Sequence, residues 1–333
     1  MNRISRSAAV AALTVGIAGV PAASGSAAGL SFGRPQDVRA ITTIENDLAV
    51  ETDTDRAMSY FAGNAILADI MAPGWYQGKK QIRAAIAPQL AALKAIRYHM
   101  NEINVATDGK FACAAMVIHF DATKSDNAPL KMTIRQLDAF RKIDGQWRIV
   151  QQHLSVPVDE KSGVAIFDTT SPARGDFPWT VPSVEGPPLP VAQAKSQIYA
   201  WLAASEVPRS VDEMESFYGP GDDSTIYDFW SPRGLRGRGE LHDFYAPQFV
   251  GVRDMNIRMP VVSIDTDGAL GAEISQQNLT INMKNGTHQR VSFRQSDCVR
   301  RVGDKWYAIF EMGSFPVDPK TGKGIMLDKA AFE

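Results

Sequence analysis

The stretch SVPVDEKSG at 155–163 returns as SFPVDPKTG at 314–322, a shift of 159 residues. The same shift carries Trp147 onto Trp306, Asp69 onto Asp228 and Gly78 onto Gly237. It carries Ala87-Pro88-Gln89 onto Ala246-Pro247-Gln248, and Thr107-Asp108-Gly109 onto Thr266-Asp267-Gly268. Arg135, Gln136 and Asp138 fall on Arg294, Gln295 and Asp297, and the register holds without a gap from Asp69 to Gly163. One recurring loop cannot do this, so the chain is a tandem duplication of one domain. Two copies at so long a period make two globular units, whereas a solenoid needs shorter and more numerous repeats. A length of 333 residues agrees with two domains of roughly 100–200 residues each.

Each copy follows one plan. Helical patterns are predicted at 35–50 and 54–61, a short strand reaches Asp69, and a third helix follows Gly78 at 79–93. Strands alternate at 97–106, 111–121, 130–143 and 147–156, separated by the turn sequences TDGK, TKSDNAP and IDGQ. In the second copy the helices are expected at 191–204, 210–218 and 238–249, with the short strand at 225–228. Helices first and an antiparallel meander after them read as α+β. The expected organisation is domain 1 at 34–168, a proline-rich linker at 169–190 and domain 2 at 191–333. Proline at this density can neither continue a helix nor sit in a central strand.

Residues 1–28 are different in kind. Arg3 and Arg6 precede an apolar run at 8–20, and small residues follow, which reads as a secretory signal peptide and a periplasmic or secreted protein. No other stretch is apolar enough for a membrane span. The net charge of −2, with Lys and Arg dispersed, argues against a nucleic-acid partner. Cys113 and Cys298 each fall inside a strand pattern and show no CxxC spacing, so neither a zinc site nor a disulfide is expected.

The ending DGQWRIVQQHLSVPVDEKSGVAIFD, the Asp-(x)8-Gly spacing and the helices before a curved sheet resemble SnoaL-like proteins and ketosteroid isomerase homologues of the nuclear-transport-factor-2-like superfamily. The resemblance implies two tandem cone-shaped domains, each with N-terminal helices packed on a curved antiparallel sheet around an apolar pocket. It also implies pairing of such domains, here as an internal pseudo-dimer formed by the outer faces of the sheets.

By this resemblance Asp69 and Asp228 occupy the place of a general base, and Asp138 and Asp297 that of a protonated acid donating to an oxyanion. Alternation puts Gln136 and Asp138, and likewise Gln295 and Asp297, on the inner face, with Arg135 and Arg141 outside. Regular alternation from Trp147 places Gln151 and His153 on the pocket side, and in copy two Trp306, Phe310 and Met312. Tyr199 lies near the family's oxyanion-binding tyrosine. For each of these residues a structural role remains open beside the chemical one: a turn or capping Asp, a satisfied core histidine, a core aromatic. Asp69 with His153 is the pair expected to carry proton transfer, and Trp147, Gln151, Gln136, Tyr199, Trp306 and Gln295 are the expected ligand contacts.

No metal or cofactor is expected. The function so read is an exported, cofactor-independent isomerase, lyase or dehydratase acting on an apolar cyclic or aromatic molecule. A non-catalytic binder of an apolar ligand and an assembly module are the alternatives.

Overall fold

The computed structural model describes residues 31–167, 187–219 and 224–326. The segment read as a signal peptide and most of the expected linker lie outside these residues, and 187–190 carry neither helix nor strand. Among the described residues no helix is long and apolar enough to cross a membrane.

Repeat one runs β1 (Ser31–Phe32), α1 (Pro35–Ala49), α2 (Thr54–Ser59), β2 (Phe61–Ala68), β3 (Trp75–Gln77), α3 (Gly78–Ala91), β4 (Leu93–Thr107), β5 (Phe111–Lys124), β6 (Pro129–Ile143) and β7 (Gln146–Ser155). Repeat two runs α4 (Val191–Ser205), α5 (Val211–Glu215), β8 (Thr225–Tyr227), β9 (Leu235–Arg236), α6 (Gly237–Tyr245), a 3-10 turn (Ala246–Phe249), β10 (Val252–Thr266), β11 (Leu270–Met283), β12 (His288–Val302) and β13 (Lys305–Ser314). Each repeat builds its own sheet, in the orders β1-β4-β5-β6-β7-β2-β3 and β10-β11-β12-β13-β8-β9. The long strands form an antiparallel meander, and β2 and β8 join it parallel to β7 and β13. The fold is α+β, two tandem cones with helices packed against curved sheets.

Local sequence explains the element ends. Pro35 opens α1, where its missing N–H costs nothing. Asp53 caps α2 by accepting from Arg56 N, and Ser210 caps α5 by accepting from Glu213 N. Gly78 and Gly237 start α3 and α6 at φ of 76° and 65°, a left-handed turn that a side chain would strain. This turn is the physical content of the Asp-(x)8-Gly spacing.

Both last strands carry a bulge. Val150 is extra between the pairs Ala139–Gln151 and Phe140–Ile149, and Ile309 is extra between Cys298–Phe310 and Val299–Ala308. An inserted residue reverses which side chains face in beyond that point.

The outer faces of the two sheets meet, and the contacts are reciprocal. Arg135 Nη1 donates to the carbonyls of Asp228 (2.7 Å) and Ser231 (3.1 Å), while Arg294 Nη1 donates to those of Asp69 and Gly74. The opening motif meets its copy: Ala165 N donates to Gly322 O and Gly324 N to Gly163 O, both at 2.9 Å. Val158 N donates to Phe229 O and Val317 N to Ile70 O. Such i-to-j and j-to-i pairing is the geometry of a two-fold interface.

Cys113 in β5 and Cys298 in β12 are disulfide-bonded, with Cα atoms 6.3 Å apart, which corrects the expectation of unpaired thiols. Both do lie inside strands. What alternation alone did not reveal is that both occupy the face shared by the stacked sheets. The symmetry-related positions are Ala272 and Ala139, so the bond has no second copy.

Candidate active site

The site is built from three neighbouring strands of repeat two. Glu273 on β11 pairs directly with Asp297 on β12, and Asp297 with Glu311 on β13. Glu311 joins this inner row only because Ile309 bulges out below it. Glu206, at the end of α4, and Asp228, after β8, bring the number of carboxyls to five. Glu273, Asp297 and Asp228 are fully buried, whereas Glu206 and Glu311 are half-buried.

Polar groups tie the row together. Gln295 Nε2 donates to Asp297 Oδ2 (3.1 Å) and to Glu206, and the Tyr218 hydroxyl donates to Glu311. The Tyr245 hydroxyl donates to Asp228 Oδ2 at 2.6 Å, and Trp230 N to Asp228 Oδ1 at 2.7 Å. Neither oxygen of Glu273 nor Oδ1 of Asp297 meets a hydrogen-bond donor in good geometry.

Burial, followed by mutual repulsion, pushes these acids up. Asp297 reaches about 7, from burial first and then the Glu206 charge, and Glu273 and Glu311 rise well above the usual carboxylate range, from burial first and then the Asp297 charge. Burial also raises Asp228, but the bonds from Tyr245 and Trp230 and the Arg135 charge oppose the shift. The result is a group of acids that hold protons near neutrality beside one better able to be a base.

Repeat one has the same places and other residues. Ala114, Asp138 and Gln152 occupy the row, and Gln152 Nε2 donates to Asp138 Oδ2 at 2.9 Å. Gln136 Nε2 donates to Asp138 and to Glu45 of α1, both at 3.0 Å. Burial raises Asp138 to about 7, and burial with the Asp138 charge raises Glu45. Around them lies an apolar core that includes Ile41, Phe61, Ile82, Met116, Ile118 and Phe140 and continues across the interface into repeat two through Cys298, Phe310, Met312 and Val317. Repeat two has smaller separate clusters, one around Met214, Ile226 and Leu241 and one around Ile198, Val299 and Trp306.

The remaining candidates divide as follows. Asp69 is buried, accepts from Ile70 N (2.7 Å) and Gln89 Nε2 (3.1 Å), and is raised by burial against those bonds. Trp147 and Trp306 are buried in their cores, Trp306 donating to Gln197 Oε1 at 3.0 Å. Gln151 and His153 do not face the pocket, because the bulge at Val150 turns them onto the inter-repeat face. Gln151 Nε2 donates to Ser263 O, and the His153 ring nitrogens lie 2.9 and 2.7 Å from the hydroxyls of Ser296 and Ser314. Burial and the Arg294 and Arg135 charges hold His153 well below its ordinary value, so it is neutral. Its expected partnership with Asp69 in one pocket is therefore corrected. Phe310 and Met312 follow the same rule: they pair across β12 with Cys298 and Ser296 on the shared face. Tyr199 is 49 % exposed on α4 and is no pocket residue.

Glu206, Glu273, Glu311, Tyr218 and Tyr245 escaped the sequence reading, as did Glu45 and Gln152. The signal was present in the self-alignment, where Ala114 changes to Glu273 and Gln152 to Glu311. Regular alternation hid the second change by pointing position 152 outward.

A family model for the SnoaL-like domain matches residues 38–159. Solved structures similar to the chain include an NTF2-like protein of unknown function from Pseudomonas putida KT2440, 18 % identical over 40 % of this chain and 93 % of that one, with a TM-score of 0.36. An NTF2-like superfamily protein from Salmonella enterica serovar Typhimurium is 15 % identical over 40 % and 98 %, at 0.34. A ketosteroid isomerase-like protein from Erwinia carotovora atroseptica is 20 % identical over 37 % and 94 %, at 0.30. No curated protein matches the chain.

Proposed function

With residues 38–159 a SnoaL-like domain and a second copy of its plan behind it, we propose that the chain is an exported, cofactor-independent enzyme for a cyclic or aromatic small molecule, with its working site in repeat two. The observation that carries this reading is the row Glu273, Asp297 and Glu311 beside Asp228. Asp228 stands where the resemblance places the base. Taking a proton from a carbon next to a carbonyl leaves negative charge on the carbonyl oxygen, and a neutral carboxylic acid such as Asp297 donates to that charge. Return of the proton elsewhere is an isomerisation, and loss of a leaving group is a lyase or dehydratase reaction.

Repeat one then serves as the other half of an internal pseudo-dimer, a reading supported by the reciprocal arginine contacts. Export is supported by the Cys113–Cys298 bond, since disulfides persist in oxidising compartments.

The test is solvent exchange into candidate substrates. Steroid, polyketide-like and lignin-derived aromatic ketones are incubated with the full chain in deuterated water, and exchange at carbon is followed by NMR. Exchange that falls roughly 10²–10⁴-fold in Asp228→Asn is the expected result. Exchange unaffected by that substitution removes Asp228 as the base, and binding without exchange leaves the non-catalytic role.

A further inference from the structure

We propose that the ligand of the repeat-two cone carries a positive charge: an organic amine or ammonium group on a ring or apolar body, seated on Glu206, Glu273 and Glu311, with Asp297 between them keeping its proton. The inference rests on the site assignment above and adds the substrate class.

Three observations carry it. The first is the missing countercharge. In the electrostatics of Glu206, Glu273, Asp297 and Glu311 every charged neighbour that acts is another acid, and none is Lys or Arg. Elsewhere in this protein buried and half-buried acids do have cations, as in Lys142–Asp37, Arg236–Glu102 and Arg141–Asp265. Buried acids without a cation stay neutral or wait for one. Both oxygens of Glu273 and Oδ1 of Asp297 are buried without a donor, where repeat one leaves one oxygen each of Glu45 and Asp138 in that state.

The second observation is spacing. Acids paired across adjacent strands stand about 5 Å apart, so the row spans about 10 Å. Among the described residues the only three metal-ligating groups converging within 4.8 Å are Asp212, Glu215 and His242, none of them in the row. A divalent ion needs several oxygens at about 2.0–2.6 Å, and no three ligand atoms of the row converge even within 4.8 Å. An ammonium group needs no such convergence, because its N–H groups can each donate to a separate carboxylate.

The third observation is the wall. Trp201, Phe217, Phe244, Tyr245 and Phe249 are partly buried against the cluster that contains Tyr218. Aromatic faces attract organic cations, most strongly where water is excluded. Repeat one, with Ala114 and Gln152 in the row and an apolar core in the cone, offers no such site.

Calorimetry on the full chain at neutral pH decides the matter, with phenethylamine, cyclohexylamine and benzyltrimethylammonium as probes. 2-Phenylethanol and cyclohexanol serve as neutral counterparts, and calcium and magnesium salts as the metal arm. The amines are expected to bind at least about 10-fold tighter than their neutral counterparts, as removal of one charge-assisted hydrogen bond implies. Their binding enthalpy should also depend on the buffer's ionisation enthalpy, because row acids release protons when the cation arrives. Glu273→Gln, which keeps the shape, should weaken the amines about 10-fold and leave the alcohols unchanged, with Tyr199→Phe as the folded control. Equal affinity for amines and alcohols, or preference for a metal ion, overturns the cationic ligand. If ketones still bind or exchange in an Asp228-dependent manner, the repeat-two site survives that failure. If nothing responds to substitution in repeat two, both fall.

Discussion

Ala114–Asp138–Gln152 in repeat one and Glu273–Asp297–Glu311 in repeat two occupy the same three strands, the same register and the same face. Repeat one sets a single further acid, Glu45, beside its buried Asp138, two amides donate to Asp138, and the small Ala114 stands opposite it on the neighbouring strand. Repeat two places acids on both sides. Like charges directly opposite in a sheet are destabilising, and among the described residues no Lys or Arg offsets them, so the fold alone gives no reason for the second arrangement. A protein tolerates such local cost where activity needs it. The comparison separates a half whose interior is optimised for packing from one whose interior is reserved for something else.

The sharpest way to break this contrast is to remove the same carboxyl from both halves. Asp228→Asn should lower turnover by roughly 10²–10⁴, while Asp69→Asn leaves it within about 2-fold. Equal losses would make the two sites equivalent and erase the asymmetry.

Stability comes next. The Cys113–Cys298 bond closes a loop of 185 residues, and its removal by a double Ala substitution should cost about 4 kcal/mol. Denaturation of that variant should resolve two transitions, with repeat two, whose interior holds the row of buried acids, melting first. A single transition at the wild-type midpoint would mean that the bond contributes nothing.

Ala114→Glu rebuilds the repeat-two row inside repeat one. With a full apolar core around it, the new acid should destabilise by about 3 kcal/mol, measured by urea unfolding. Little change would show that repeat one can also hold a row of acids.

The pH dependence is gentler. Asp297 loses its proton at about 7 when folded and near 4 when unfolded, so between those values the folded chain holds the extra proton. Stability therefore falls as pH rises through that window and levels off above it, by up to about 1.4 kcal/mol per pH unit per such group. Asp297→Asn should flatten the slope. An unchanged slope would assign the titration to the other raised acids, Asp138 and Asp108 at about 7 and Glu206 at about 8.

The smallest effect is expected at Tyr199, exposed on α4, where Tyr199→Ala should change stability by less than about 0.5 kcal/mol and leave ligand binding intact. A clear loss of binding would restore it to the site.

The duplicated plan was legible because the self-alignment is long and ungapped, and because Gly78 and Gly237 mark the strand-to-helix turn in each copy. Gln136, Asp138, Gln295 and Asp297 lie inward as alternation requires, since β6 and β12 run undisturbed beside β5 and β11. His153 and Gln151 were misplaced because one extra residue in β7 inverts everything after it, and no residue type announces that bulge. The disulfide was missed for a different reason: which strand face is shared depends on how two sheets dock, a tertiary fact absent from any local pattern. Glu206 and Glu45 reach the row from the helices, at positions the 159-residue shift does not equate, so the alignment could not pair them.

The clasp of Arg135 on the Asp228 loop, mirrored by Arg294 on the Asp69 loop, has a consequence for ancestry. In a dimer of identical chains every substitution appears at both sites, so a change that ruins one pocket ruins its twin. Fusing the two genes end to end lifts that constraint. One copy is free to fill its cone and keep only the grip on its neighbour, while the other keeps the costly acids. Arg135 thus belongs to the half with the fewer buried acids, yet it holds in place the loop that carries Asp228 in the other.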